Sequence, residues 1–229
     1  MPKLNFISVC TDNYSMLYAL RLHKRIYQVS SLDLNHYCIT DRASELPGFV
    51  QPIRPFVHAE GWWNKMNLYC KDMPPGWLLY MDLDIVVQQN FDHELTTTLS
   101  NGFPLNAVSD AIGWHGQRFN SSFMLMQSGF RDDIFQKFKL EHSHAIKNPG
   151  GDQVWTGPLL RSDELWFIDD AFPNLKKNLK FHLATKEGGV YRLPKQIPPE
   201  VKLVDCSGRP KPHELGHLDY IRKNWHEVS

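Results

Sequence analysis

The chain is short of several things that would each point to a class of protein. It lacks an excess of charge: Lys plus Arg and Asp plus Glu both number 25, so the formal net charge over 229 residues is zero. That removes the electrostatic footprint of a nucleic-acid binder and gives no polybasic membrane signal. A small molecule held in a local site is the expected partner, with no nucleic acid. No apolar run approaches the roughly 18 residues that would span a bilayer, and the opening "MPKLNFISVCTDNY" lacks the long apolar core of a signal peptide. The four cysteines, Cys10, Cys38, Cys70 and Cys206, form no CxxC pair, and three sit among apolar or aromatic neighbours. Such cysteines suggest buried thiols in a reducing compartment, hence a cytoplasmic location.

What is present is ordinary globular composition, 42% hydrophobic and 22% charged, in a length suited to one domain with a sizeable core. Buried strands are expected in "KLNFISVC", "HYCIT" and "GFVQPIRPF", and most strongly in "WLLYMDLDIVV". Further short strands follow in "NAVSD", "SSFMLMQ" and "KLVDCS". Helices are expected over "SMLYALRLHKRIYQ", with Met16, Leu17, Leu20, Lys24 and Tyr27 at helical spacing behind a Ser15 cap, over "WWNKMNLYCKDM", and over "RDDIFQKFKLEHSHAI". Strand and helix alternate through the first half, which predicts an α/β domain with a mostly parallel central sheet. "KEGGVYRLPKQIPPE" reads as largely loop.

"LLYMDLDIVV" sets Asp82 and Asp84 in an apolar run. Alternate strand residues face one way, so the two carboxylates would share a side. Left bare and buried they would repel and cost several kcal/mol to desolvate. A cation between them, or an exposed strand end, removes that cost. Oxygen ligands with open positions suit Mg²⁺ or Mn²⁺ better than Zn²⁺.

With its flanks, this strand resembles the GT-A glycosyltransferases, and more closely those of family 8, the galactosyl- and glucosyltransferases related to glycogenin. Five segments carry the resemblance in order along nearly the whole chain: "CTDNY", similar to the family's "DDNY"; Lys65, seventeen residues before Asp82; "YMDLDIVV", similar to "YLDxD"; "FNSSFMLM", similar to "FNSGVMLI"; and "GDQVW". A sixth, "DCSGRPKPHE", parallels the closing "HFxGxxKPW", with Gly208, Lys211 and Pro212 in register. Three positions depart from the pattern. Thr11 stands for an acidic residue, which leaves the base open; Ser122 stands for a glycine; Asp205 stands for a metal-binding histidine.

The resemblance implies a single GT-A (Rossmann-like) domain over 1–229, with a nucleotide-sugar-binding half to about residue 100 and an acceptor-side half beyond. It implies a Mn²⁺-dependent (or Mg²⁺-dependent) hexosyltransferase that takes a nucleotide diphosphosugar, UDP-sugar by family habit, and transfers the sugar to a glycan or other hydroxyl with retention. Asp82, Asp84 and Asp205 would hold the metal. Thr11, Asn13 and Tyr14 would hold the nucleoside, and Lys65, Leu83, Asn120, Ser121, Gly208 and Lys211 would line the donor site. Asp152 and Gln153 would stand at the anomeric carbon, whether attack is front-face or through a covalent intermediate on Asp152.

Three rival readings exist. A nucleotidyltransferase also uses paired carboxylates, but would show glycine after the first strand, and "CTDNYS" has none. A non-catalytic nucleotide-sugar-binding protein fits the three departures. Last, His213-Glu214-Leu215-Gly216-His217 spells the HExxH of zinc peptidases. "GRPKP" precedes it, which cannot extend a helix, and Tyr220 and Lys223 stand where a metzincin has Gly and His. A helix start, with Leu218, Ile221 and Trp225 packed inward, is expected there. Elsewhere, His142 and His144 read as a solvated helix end, Trp62 and Trp63 as core anchors, and Trp114, His115, Gln117 and Arg118 as an acceptor loop.

Overall fold

The computed structural model describes residues 3–11, 14–110, 118–147 and 150–228. In chain order the strands are β1 (Leu4–Val9), β2 (Leu34–Ile39), β3 (Val50–Ile53), β4 (Trp77–Met81), β5 (Ile85–Val87), β6 (Leu105–Ser109), β7 (Phe119–Gln127), β8 (Leu165–Phe167), β9 (Lys176–Asn178), β10 (Thr185–Glu187), β11 (Val190–Arg192) and β12 (Leu203–Asp205). The principal helices are α1 (Met16–Val29), α2 (Asp92–Leu99), α3 (Asp132–Ala145) and α4 (Gly151–Thr156). The expected α/β GT-A architecture is observed. A seven-stranded sheet runs β3-β2-β1-β4-β7-β6-β8, in which only the β7 pairings are antiparallel. A second sheet, β5-β12-β9, lies beside it, and β10-β11 is a hairpin. Apolar clusters fill both faces of the main sheet, which is why β1 and β4 are buried at every position.

Several elements differ from the sequence expectation, each for a physical reason. The apolar run "WLLYMDLDIVV" is two strands rather than one. β4 ends at Met81 beside β1 and β7, Asp82 N–H donates to the Ser122 carbonyl, and a turn closed by Ile85 N–H to Asp82 C=O leads into the second sheet. Asp82 and Asp84 therefore lie in a turn beyond a strand's carboxyl end. The helix expected over 62–73 is a 3₁₀ segment, Gly61–Tyr69. Asn64 and Asn67 bond the backbone at Ala59, Gly61 and Val57, competing with an α ladder. In α1 the buried stripe is Met16, Tyr18, Ala19, Leu22, His23 and Ile26, while Leu17 and Tyr27 are exposed. The polar His23 can lie inward because Ser8 Oγ meets its Nε2 at 2.8 Å and His36 Nδ1 meets its Nδ1 at 3.0 Å. The segment expected to be loop contains the β10-β11 hairpin, turned by Gly188 and Gly189 at positive φ.

All four cysteines are buried and free. Among the described residues no helix is long and apolar enough to cross a membrane. The HELGH segment is no zincin helix: Pro212–Glu214 form one 3₁₀ turn, His213 Nδ1 bonds the Tyr18 hydroxyl, and His217 is exposed in a later turn. Leu218, Ile221 and Trp225 are buried as expected. His142 packs edge-on against Phe138 and His144 is exposed.

Candidate active site

In an open α/β sheet the ligand crevice forms beyond the carboxyl ends of the strands. Here that position holds a cleft of about 550 Å³, lined by Thr11, Tyr14, Lys65, Asp82, Leu83, Asp84, Asp152, Gln153, Gly208 and Lys211, with Trp62 at one wall. A contiguous cavity of about 460 Å³ shares Asp82, Gln153 and Gly208 with it and adds Asn120, Lys176, Lys180 and Asp205. Residues scattered from position 11 to position 211 thus meet at one place. Asn13, Trp114, His115 and Gln117 lie outside the described residues.

Lys65 is the hub of one wall. Its Nζ lies 3.0 Å from Asp82 Oδ1, 3.1 Å from Ser121 Oγ and 3.7 Å from Asp152 Oδ2. Ser121 donates to Asp152 Oδ2 at 2.6 Å, and Tyr80 donates its hydroxyl proton to Asp82 Oδ1 at 2.5 Å. Burial alone would lower the Lys65 pKa, but Asp152 and Asp82 outweigh it and hold the ammonium well above its ordinary value. Burial raises Asp152, with Lys65 and Ser121 opposing.

A second group of charges gathers at and beside the second sheet. β12 pairs antiparallel with β5, setting Asp205 opposite Ile85, and parallel with β9, setting Asp205 opposite Asn178. Lys211 Nζ pairs with Asp84 Oδ2 at 2.5 Å, and Lys176 Nζ pairs with Asp205 Oδ2 at 2.6 Å. Burial pushes Asp84 up, and the charges of Asp82 and Asp205 add to this, so one ammonium does not fully compensate it. Asp205 is held low despite burial, because Lys176 and the Ser207 amide stabilise its charge.

The donor set can be tested against a divalent cation on these contacts. Asp82 and Asp84 offer oxygen ligands at a cleft wall, and the surplus negative potential at Asp84 suits a hard cation. Asp205 is differently placed: it lines only the second cavity, with Oδ2 taken by Lys176 and Oδ1 by the Ser207 N–H. Among the described residues no three Asp, Glu, His or Cys side chains converge as a metal cage. Among the described residues the cleft therefore offers two carboxylates, Asp82 and Asp84, as candidate ligands.

Lys176 also donates to Ser122 Oγ at 2.8 Å. Two of the three departures from the family pattern, Ser122 and Asp205, thus meet on one lysine. Sequence reading missed Lys176 because it lies in no motif; "LKKNLK" gave only its charge density as a signal. It missed Trp62 as well. Trp63 is buried and stacked on Phe138, as expected for a core anchor, but Trp62 is 55% exposed at the cleft. Gly151, at φ +71°, lies against that indole: a Cβ there would stand 2.8 Å from Trp62 Nε1. Arg118, read as part of an acceptor loop, is engaged by Asp170 and Ser109 and lies over the Phe167 ring.

The chain matches no protein-family profile and no curated protein by sequence. Its fold is that of solved glycosyltransferases. It superposes on the glycosyltransferase GlyE of Streptococcus pneumoniae TIGR4 with TM-score 0.65 at 15% identity, covering 99% of this chain and 63% of that one. It superposes on the galactosyltransferase LgtC, in complex with donor and acceptor sugar analogs, with TM-score 0.61 at 13% identity over 98% and 94% of the two chains. For the bifunctional glycosyltransferase WbbM the values are 0.61, 11%, 99% and 50%. The chain thus spans less than two thirds of GlyE and half of WbbM.

Proposed function

We propose that this protein is a glycosyltransferase that moves a hexosyl group from a nucleotide diphosphosugar to an acceptor hydroxyl, with retention of configuration. The observation that carries this reading is the joining of Asp82, Asp84, Lys65, Lys211, Asp152 and Gln153 in one cleft on a glycosyltransferase fold. Tyr14, at the mouth, stacks on the base, with Thr11 beneath it; a UDP-sugar is the donor we favour. Lys211, which pairs with Asp84, turns to the diphosphate when donor enters.

Asp82 and Asp84 would hold Mn²⁺ or Mg²⁺, whose charge would add to that of Lys211 in stabilising the departing nucleoside diphosphate. Asp205 serves instead as the anchor of Lys176. Asp152, fixed by Ser121 and Lys65, holds the donor sugar. Gln153 lines both cavities, which supports a role for it where donor sugar and acceptor meet. The second cavity takes the acceptor, except at its Gly208 rim, which it shares with the donor cleft.

The test is release of nucleoside diphosphate from a panel of nucleotide sugars, with sugars and glycans as acceptors. Acceptor-dependent release from one donor, lost in a folded Asp84→Asn variant, supports the reading. A panel that is bound but never turned over favours a nucleotide-sugar-binding protein instead.

A further inference from the structure

Three of the lysines lining the two cavities are already engaged by carboxylates. Lys65 answers Asp82 and Asp152, Lys211 answers Asp84, and Lys176 answers Asp205. A diphosphate entering this cleft brings further negative charge, and these three ammonium groups are already matched. Lys180 is different: its ammonium makes no hydrogen bond or ion pair among the described residues, yet it lines the second cavity beside Gly208.

Its place is held by an ordered frame. Asn178, 4% exposed, accepts from the backbone N–H of Lys180 at 3.0 Å and of Phe181 at 3.1 Å. The Asn178 side-chain amide donates to Ser207 Oγ at 2.9 Å, and its backbone N–H donates to His182 Nδ1 at 3.0 Å. The turn that carries Lys180 is thereby tied to the Ser207–Gly208 loop. The ammonium lies over the bare Cα of Gly208, where a Cβ would meet Nζ at 3.0 Å, and Gly208 has φ +77°. Gly208 borders both cavities, and Lys211, three residues on, lines the donor cleft.

We propose that Lys180 is a second phosphate-binding lysine, gripping the donor diphosphate where it passes Gly208 and acting together with Lys211. This deepens the nucleotide-diphosphosugar reading and rests on it. A pre-placed, unpaired ammonium on an ordered turn loses little freedom on binding, and a charge-assisted bond to a phosphate oxygen is among the stronger single contacts available to it.

The probe that avoids the choice of base is inorganic pyrophosphate, titrated calorimetrically with Mn²⁺ into wild type, Lys180→Ala, Lys180→Arg and Lys177→Ala; UDP and uridine follow. Lys177 lines the same cavity and makes no ion pair among the described residues, so its removal controls for net charge. The expected result is that Lys180→Ala weakens pyrophosphate and UDP about tenfold or more, Lys180→Arg largely restores them, and Lys177→Ala has a much smaller effect. Uridine binding should not change. Wild-type affinity in Lys180→Ala, or equal losses in Lys180→Ala and Lys177→Ala, overturns the role of Lys180 alone. Wild type that binds neither pyrophosphate nor UDP overturns the donor reading and Lys180's role together.

Discussion

The ammonium of Lys211 stands 2.5 Å from the carboxylate of Asp84, joining positions 127 residues apart in the chain. Asp84 is buried, and Lys211 is the only cation paired with it among the described residues. Removing one partner leaves a buried charge uncompensated, so Lys211→Ala should lower unfolding stability by about 2–3 kcal/mol. Lys211→Met combined with Asp84→Leu should recover most of that loss. Urea unfolding of the two variants checks it, while activity should be absent in both.

The contacts of Asp205 separate it from Asp84. Asp84→Asn should abolish the effect of Mn²⁺ on nucleotide binding while the fold survives. Asp205→Asn should leave Lys176 without its counter-ion, destabilise the fold by about 2–4 kcal/mol, and preserve most of the Mn²⁺ effect. Equal loss of the Mn²⁺ effect in both variants would make Asp205 a metal ligand after all.

The second sheet was the less legible half of the site. Asp82, Asp84 and Asp152 were readable because each lies in a short motif at the end of β4 or in α4, and Lys65 by its spacing to Asp82. Lys176 and Lys180 were not, because their roles depend on β9 pairing with β12, two short strands far apart in sequence. The break of "WLLYMDLDIVV" into β4 and β5 was hidden for a related reason. Both pieces are apolar and buried, and only their partners differ. The inward face of α1 differs from the expected Met16, Leu17, Leu20, Lys24 and Tyr27 spacing because it includes His23, a polar residue whose ring is satisfied by Ser8 and His36.

That histidine pair sets a pH dependence. Burial holds His23 well below its ordinary value, and pushes His36 down to about 4. Each folded pKa lies below the unfolded value near 6.5, so the unfolded chain binds more protons as pH falls. Stability should therefore be full above about pH 6.5 and decline from there towards pH 4. For His36 the loss at pH 5 is about 1 kcal/mol after solvent screening. Urea unfolding at pH 7 and pH 5 measures it, and His23→Gln should flatten the slope.

Gly151 adopts φ +71° beneath Trp62. Gly151→Ala should cost about 1–2 kcal/mol of stability and push the indole aside. If Trp62 contacts the donor, Gly151→Ala and Trp62→Ala should raise KM for the nucleotide sugar in the same direction. Steady-state kinetics on the two variants compares them.

The central claim is that the cleft between Lys65 and Lys211 binds a nucleotide diphosphosugar with a divalent cation. Thermal unfolding against a panel of nucleotides and nucleotide sugars, with and without Mn²⁺, tests it most directly. A ligand at about 100 times its Kd adds about 2.7 kcal/mol, or roughly 5–10 °C for a domain of this size. The predicted result is a shift of that order for one nucleotide diphosphate and its sugars, present with Mn²⁺ and much reduced in Asp84→Asn. No shift with any nucleotide, at any Mn²⁺ concentration, would contradict the claim.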